Sequence, residues 1–256
     1  MTVQEIYTLF DGLAPFETQM ESDNSGLLVG DGNAPVTGIL LALDLTPAVI
    51  DEALSLGVEL IVTHHPLMFE PRHTLTEGDY EGRLIRRLVR GNLSFIAAHT
   101  NLDQSPVGTN AALCTLLGLR EVSGEGFFRC GLLPEPMPAG QLRDHLSALL
   151  GDTVRLMGPA DAPVAKIGMC SGGGSSEWTA ALASGCQAFL TGEMKHHHAL
   201  EIADSGLVAF ECGHFATEYP GVCTLADALQ KAFDEVQCKV RIFKSAARAY
   251  AFPRQP

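Results

Sequence analysis

The chain is 256 residues long, 46% hydrophobic and 18% charged, with a formal net charge of −13. Its length fits one large domain or two small ones, and its apolar content excludes a disordered chain. The acidic field repels nucleic acid and anionic lipid, which argues against a surface that coats DNA or RNA. Apolar runs break well short of the about 18 residues that a membrane span needs, as where Ile39–Leu43 meets Asp44. The opening residues MTVQEIYTLF hold an acid and no base, so they do not read as a secretory signal. Seven cysteines without a CxxC pair argue against a cysteine zinc site. Reduced thiols in a cytoplasmic protein are the expectation.

Val36–Leu43 (VTGILLAL) reads as a buried strand that ends at Asp44. In Pro47–Leu56, Val49, Ile50, Ala53 and Leu54 fall on one helical face, and Gly57 stops the helix. Val58–Thr63 is the next strand. Leu84, Ile85, Leu88 and Val89 mark a helix capped by Gly91. Its other face carries Arg83, Arg86, Arg87 and Arg90, a solvated surface or one that meets a neighbouring subunit. Leu93–Ala98 is a third strand, and a helix through Leu113, Leu116 and Leu117 closes at Gly118. The second half repeats this grammar. Strands are expected at Val164–Cys170, Ala188–Thr191, Leu207–Cys212 and Lys239–Phe243. Helices are expected near Glu177–Ala183, Lys195–Asp204 and Thr217–Val236. Such alternation predicts an α/β fold with buried sheets. Leu133–Gly140, with Pro134, Pro136 and Pro138, reads as a connection ahead of a helix at Gln141–Leu150. The expected division is an N-terminal α/β lobe at 1–130 and a C-terminal α/β lobe at 131–256.

Ligands of α/β proteins gather at the carboxyl ends of strands, and polar clusters fall at three of these. Thr63-His64-His65-Pro66 follows VELIV. Adjacent side chains on a strand diverge, so neighbouring histidines converge only where the strand stops, and Pro66 supplies that stop. Each imidazole then serves a metal ion, or the pair is simply hydrogen-bonded in a loop. His99-Thr100-Asn101-Leu102-Asp103 follows LSFIAA. Asp103 is a hard oxygen donor, or else a cap or turn residue, and His99 reads as a donor behind the ligands. Gly213-His214-Phe215-Ala216-Thr217-Glu218 follows LVAFEC. His214 and Glu218 stand four apart and share one helical face; the plainer alternative is a helix entry favoured by the macrodipole. Taken together, His64, His65, Asp103, His214 and Glu218 suffice for two metals with bridging carboxylates. A two-metal hydrolytic centre uses such a set, whereas an isolated structural zinc does not.

Other clusters carry less. Consecutive helical histidines point about 100° apart, so Lys195-His196-His197-His198 reads as the lining of a polar cavity rather than a metal trap. Glu193 and Lys195 are candidate outer contacts or substrate contacts. Ser171-Gly172-Gly173-Gly174-Ser175-Ser176 is either a phosphate cradle ahead of a helix or a flexible turn.

THHPLMF, AAHTNLD, TGEMKHH and GHFATEYPG, with Asp23-Asn24-Ser25-Gly26-Leu27 and Val29-Gly30-Asp31 near the start, lie in order across almost the whole chain. In these motifs the sequence resembles the GTP cyclohydrolase 1 type 2 homolog family, the Nif-three-like proteins. The resemblance implies two similar α/β lobes of mixed sheets flanked by helices, with the metal site at their interface. It implies His64, His65, Asp103, His214 and Glu218 as metal ligands, with Glu218, or else Asp103, as the bridging carboxylate. It also implies a toroidal homohexamer whose sites face an inner cavity. The chain departs from the family pattern at Ser22, where a Trp is usual, at His198, often Asp, and at Tyr219, often Arg. Three imidazoles with two carboxylates suit two divalent ions of zinc, iron, manganese or nickel rather than calcium or magnesium. The expected function is metal-dependent hydrolysis of a nucleotide or phosphoester, with GTP as the substrate the family name suggests. A non-enzymatic metal-handling or regulatory ring is the alternative. Direct action on DNA is disfavoured by the charge and by the lack of a recognition helix.

Overall fold

Thr2 and Glu5 form a reciprocal capping box that opens helix α1 (Val3–Leu13), whose inner face buries Val3, Ile6 and Phe10. Strands β1 (Gly26–Val29) and β2 (Gly38–Ala42) follow, then α2 (Pro47–Leu56), β3 (Leu60–Thr63), α3 (Tyr80–Arg90), β4 (Ser94–Ala97) and the single turn α4 (Thr100–Gln104). Next come α5 (Thr109–Leu116), β5 (Arg120–Ser123), β6 (Arg129–Pro138), α6 (Ala139–Leu150), β7 (Arg155–Met157) and β8 (Pro163–Cys170). After these the chain forms α7 (Trp178–Ala183), β9 (Ala188–Thr191), α8 (His196–Ser205), β10 (Val208–Glu211), α9 (His214–Glu235) and β11 (Arg241–Lys244). Residues 1–249 are described by this computed structural model. The chain divides into two compact units, Met1–Gly108 with the segment from Val222 onward, and Thr109–Gly221. The last residues of the expected C-terminal lobe, 250–256, lie outside the described residues.

The first unit holds a five-stranded mixed sheet in the order β1-β4-β3-β2-β11. Only β1 runs antiparallel, and β4, β3, β2 and β11 are mutually parallel. Every side chain of β2, β3 and β4 is buried, as two-sided burial of a parallel sheet requires. Leu40, Ile61 and Phe95 pack on one face against Val49, Ile50 and Ala53 of α2 and Leu84 and Leu88 of α3. Thr46 caps α2 by accepting from the Val49 amide, and Pro47 takes the first helical position, where no N–H is needed. Arg86 and Arg90 on α3 reach Glu77 at 3.2 and 3.4 Å, while Arg87 meets Asp51 of α2. The arginine face is therefore partly neutralised within its own unit.

The second unit holds a six-stranded mixed sheet in the order β5-β6-β8-β9-β10-β7, with β8, β9 and β10 parallel. Alternation along β9 splits its side chains between the two faces. Ala188 and Leu190 join Leu142 and Leu146 of α6, whereas Phe189 joins Ala181 of α7 and Ile202 of α8. Leu133–Gly140 is no connection: it continues β6 and enters α6. The prolines are tolerated because the β5 ladder ends at Leu132 and the pairing with β8 is interrupted between Leu132 and Met137. Arg120 supplies hydrogen bonds to the Leu133 and Pro134 carbonyls in that gap, at 3.2 and 3.0 Å.

None of the seven cysteines forms a disulfide. Burial pushes the Cys114 thiol up to about 11, with the neighbouring Cys130 acting in the same sense. Among the described residues, no helix is long and apolar enough to cross a membrane.

Glu59, at the start of β3, clamps the entry of β2. Its carboxylate accepts from the Thr37 amide (2.8 Å), the Thr37 hydroxyl (3.0 Å) and the Gly38 amide (3.1 Å). Burial alone would raise this carboxyl, but the hydrogen bonds from Thr37 and Gly38 outweigh it and hold the group below its ordinary value. A depressed carboxyl stabilises the fold above its unfolded pKa, and that contribution fades as pH falls through the folded one. Glu59→Gln should therefore cost about 1 kcal/mol at pH 7. The gap from wild type should close below about pH 4, which denaturant titrations across pH will measure.

Candidate metal centre

Parallel register sets the first cluster. Ala42 pairs with Thr63, and Thr63 with Ala97, so β2, β3 and β4 end at one level. The ladder runs on past the strands, with the His64 amide donating to the Ala42 carbonyl, His65 to Leu43 and Ala98 to Thr63, at 3.2, 3.0 and 2.9 Å. Asp44, His64, His65 and His99 thus emerge from neighbouring strands on the same rim.

Each imidazole is anchored through Nδ1. That of His64 lies 2.9 Å from the Ala98 carbonyl oxygen, and that of His65 lies 2.7 Å from Asp44 Oδ1. The third, on His99, lies 2.9 Å from Asp23 Oδ1. A carbonyl or carboxylate at Nδ1 selects the tautomer that donates there and carries its lone pair on Nε2, the usual support for a metal-binding histidine. The three rings stand 4.9 to 5.6 Å apart between centroids. One ring nitrogen from each falls within 4.8 Å of the others, inside the span that a single ion can bridge. Asp103, buried on α4, brings Oδ1 to 3.4 Å from His64 Nε2. Asp23 is fixed from several sides, accepting from the Thr100 amide and hydroxyl and from the Ser25 hydroxyl. Burial would raise its carboxyl, yet the hydrogen bonds from His99 and Thr100 outweigh it and hold the group well below the usual range.

The second unit has a parallel rim of its own. Thr191 pairs with both Cys170 and Glu211, so β8, β9 and β10 also end together. The Cys212 amide donates to the Thr191 carbonyl, Gly213 to Gly192 and Glu193 to Gly172, at 2.9, 2.9 and 2.8 Å. His214 opens α9 with Nδ1 3.2 Å from Glu193 Oε1 and Nε2 3.0 Å from Glu218 Oε2, one turn along. Glu218 is 4% exposed. Gly172 makes room for it: a Cβ at that position would lie 1.8 Å from Glu218 Oε1 and 3.1 Å from His214 Nε2. Its φ of +58° is also a conformation that glycine adopts without strain.

Part of the glycine run is engaged within its own unit. The Ser171 amide donates to Asn110, Gly172 to the Thr217 hydroxyl and Gly174 to the Ser171 carbonyl, so those N–H groups are spent within the unit. Of the sequence candidates, His64, His65 and Asp103 converge in the first unit, and His214 and Glu218 in the second. Glu193 touches His214 as an outer contact. His198 turns to the Ser175 hydroxyl, 2.9 Å away, and burial with the neighbouring His197 lowers its pKa. Asp44 was visible in the sequence only as the stop of a strand. Its role with His65 follows from β2 and β3 ending in register.

Gly172→Ala should cost roughly 1–2 kcal/mol from the left-handed backbone alone, and more because the Glu218 carboxylate must move. Gly173, with nothing within 4 Å of a built Cβ, is the control. Gly173→Ala should leave the denaturant midpoint nearly unchanged.

The DUF34/NIF3 (NGG1p interacting factor 3) sequence profile matches residues 1–249. A protein of Lactococcus lactis named GTP cyclohydrolase 1 type 2 homolog is 30% identical, covering 98% of this chain and 99% of the relative. One of the same name from Clostridium perfringens is 31% identical over 91% of this chain and 93% of its own length. The crystal structure of a Staphylococcus aureus hypothetical protein superposes with a TM-score of 0.94 at 26% identity, over 100% of this chain and 99% of that one. A Bacillus cereus protein related to NIF3 shares the fold at a TM-score of 0.94 and 22% identity, each chain being 99% covered. Match and fold together extend over nearly the whole sequence, and the chain belongs to the DUF34/NIF3 family.

Proposed function

We propose that His64, His65 and Asp103, with His214 and Glu218, ligate one dinuclear centre, and that the protein is a metal-dependent hydrolase of a nucleotide or phosphoester. The observation that carries this reading is the set of imidazoles at the first rim, each oriented through Nδ1 with its lone pair on Nε2. The glycine cradle around Glu218 and His214 supports it, because space is kept for a carboxylate and an imidazole at one spot. The donor set of nitrogen and carboxylate oxygen suits two zinc, iron, manganese or nickel ions. Such a pair supplies activation of water near neutral pH and neutralisation of charge on the substrate.

The chain's own groups prepare that chemistry. Asp44 and Asp23 fix the orientation of His65 and His99. Glu193 does the same for His214 from an exposed position. Against a net charge of −13, an anionic substrate needs local positive charge, and Lys195 beside the second rim is the candidate on this chain. The relatives named GTP cyclohydrolase 1 type 2 homolog make GTP the first substrate to try. A toroidal homohexamer is the assembly the family resemblance implies, with the centres facing its inner cavity.

Elemental analysis of protein purified without chelator or affinity-column metal should give two ions per chain. His64→Ala/Glu218→Ala should hold less and lose turnover of GTP or of a related phosphoester. Asp44→Asn should keep the fold yet bind metal about 10–100-fold more weakly, since only the orientation of His65 changes. Two ions with no turnover on a broad substrate panel would favour the metal-handling ring, and one ion or none would remove the dinuclear centre. Light scattering should show a single species of six chains, and a stable monomer would refute the ring.

A further inference from the structure

Beside the first rim the described residues enclose a cleft of about 310 Å³, lined among others by Glu21, Asp23, Asn24, Phe69, Glu70 and Arg72. Its volume lies at the small end of the roughly 300–1,000 Å³ of ligand sites, enough for one ring system. Phe69 is 54% exposed. Its ring meets His99 edge-on at 5.6 Å. Asp23, a wall of the cleft, is the residue that anchors His99. Cleft and imidazole cluster are therefore contiguous through two separate side chains.

The polarity of the lining selects what enters. One N–H of the Asn24 side-chain amide donates to the Met68 carbonyl, at 2.6 Å. The charge of Arg72 is paired with Glu81 and, at 3.8 Å, with Asp79. Apart from the Ser22 hydroxyl, which can donate or accept, the side chains with open charge or lone pairs are acceptors, the carboxylates of Glu21 and Glu70 and the Asn24 carbonyl oxygen. A phosphate is repelled there, whereas a flat ring with N–H groups on its edge gains both a stacking face and acceptors. The geometry points to this cleft as the base subsite of the proposed centre. It holds a planar N–H-rich heterocycle of the guanine type against Phe69, with its donor edge turned to Glu70 or Glu21 and its phosphates outside the cleft. This assignment rests on the nucleotide reading above, and it adds the place and polarity of the base.

Binding of guanosine 5′-monophosphate, followed by calorimetric titration of the full chain, separates the two. Metal-loaded and chelated protein are titrated side by side, with metal content measured for each variant. Phe69→Ala should weaken binding on the order of tenfold, as loss of one base–aromatic stack does, without changing metal content. Phe69→Tyr should restore it. Inosine 5′-monophosphate, which lacks the 2-amino donor, should bind more weakly to wild type. The double variant Glu21→Gln/Glu70→Gln should narrow that difference. Phe69-dependent binding in chelated protein would uphold the cleft even if the dinuclear reading failed. Equal affinity in wild type and Phe69→Ala, or no binding in either form, would overturn it whatever the metal content.

Discussion

The structure depends on parallel strands that end in register. Where β2, β3 and β4 stop together, the residues just past Ala42, Thr63 and Ala97 have nowhere to go but the same rim. A strand would send His64 and His65 to opposite faces, and the break at Pro66 releases them from that alternation. The neighbouring strand ends then supply what each imidazole needs at Nδ1: a backbone carbonyl for His64 and the Asp44 carboxylate for His65. The anchors come from the hydrogen-bonded ladder, the most rigid part of the unit. Ring orientation is thus set before any ligand arrives, and little ordering entropy remains to be lost on binding.

The second unit uses the same device with different chemistry. Its parallel strands β8, β9 and β10 also end level, but glycines at 172 and 192 stand where the first unit presents bulky side chains. A Cβ at Gly192 would come within 2.7 Å of the Thr217 hydroxyl, and one at Gly172 would overlap Glu218. The rim is hollowed so that one turn of α9 can bring His214 and Glu218 forward. One unit offers imidazoles backed by acids, the other an imidazole flanked by acids.

Charge is distributed to match. A chain with net charge −13 places acids behind its histidines, where they hold tautomers, and in a cleft at the side, where they repel phosphate. The arginines of α3 are turned to Glu77 and Asp51, which keeps them from forming an anion-binding face. Exposed pairs of this kind add little to stability, about 0–1 kcal/mol each.

Much of this was legible in the residues. The apolar runs of β2, β3, β8 and β9 and the helical periods of α2, α3 and α8 announce buried α/β sheets, because two-sided burial leaves a continuous apolar string. The HH, HTNLD and HFATE clusters are visible because each directly follows such a string. Other features were not. β6 was hidden by its prolines, since only the gaps in its ladders make them tolerable. The short exposed strand β5 carries no apolar signature. In the glycine run, which reads as a cradle or a turn, the Ser171 and Gly172 amides are taken by Asn110 and Thr217, partners roughly 45 to 60 residues away in the chain. By itself the sequence determined which residues can do chemistry and that they stand at strand ends, because residue type and local periodicity are properties of neighbours along the chain. Only the tertiary structure decided which acid backs which imidazole and why Gly172 must be glycine, because register between strands and the space beside a helix are set by residues far apart in the chain.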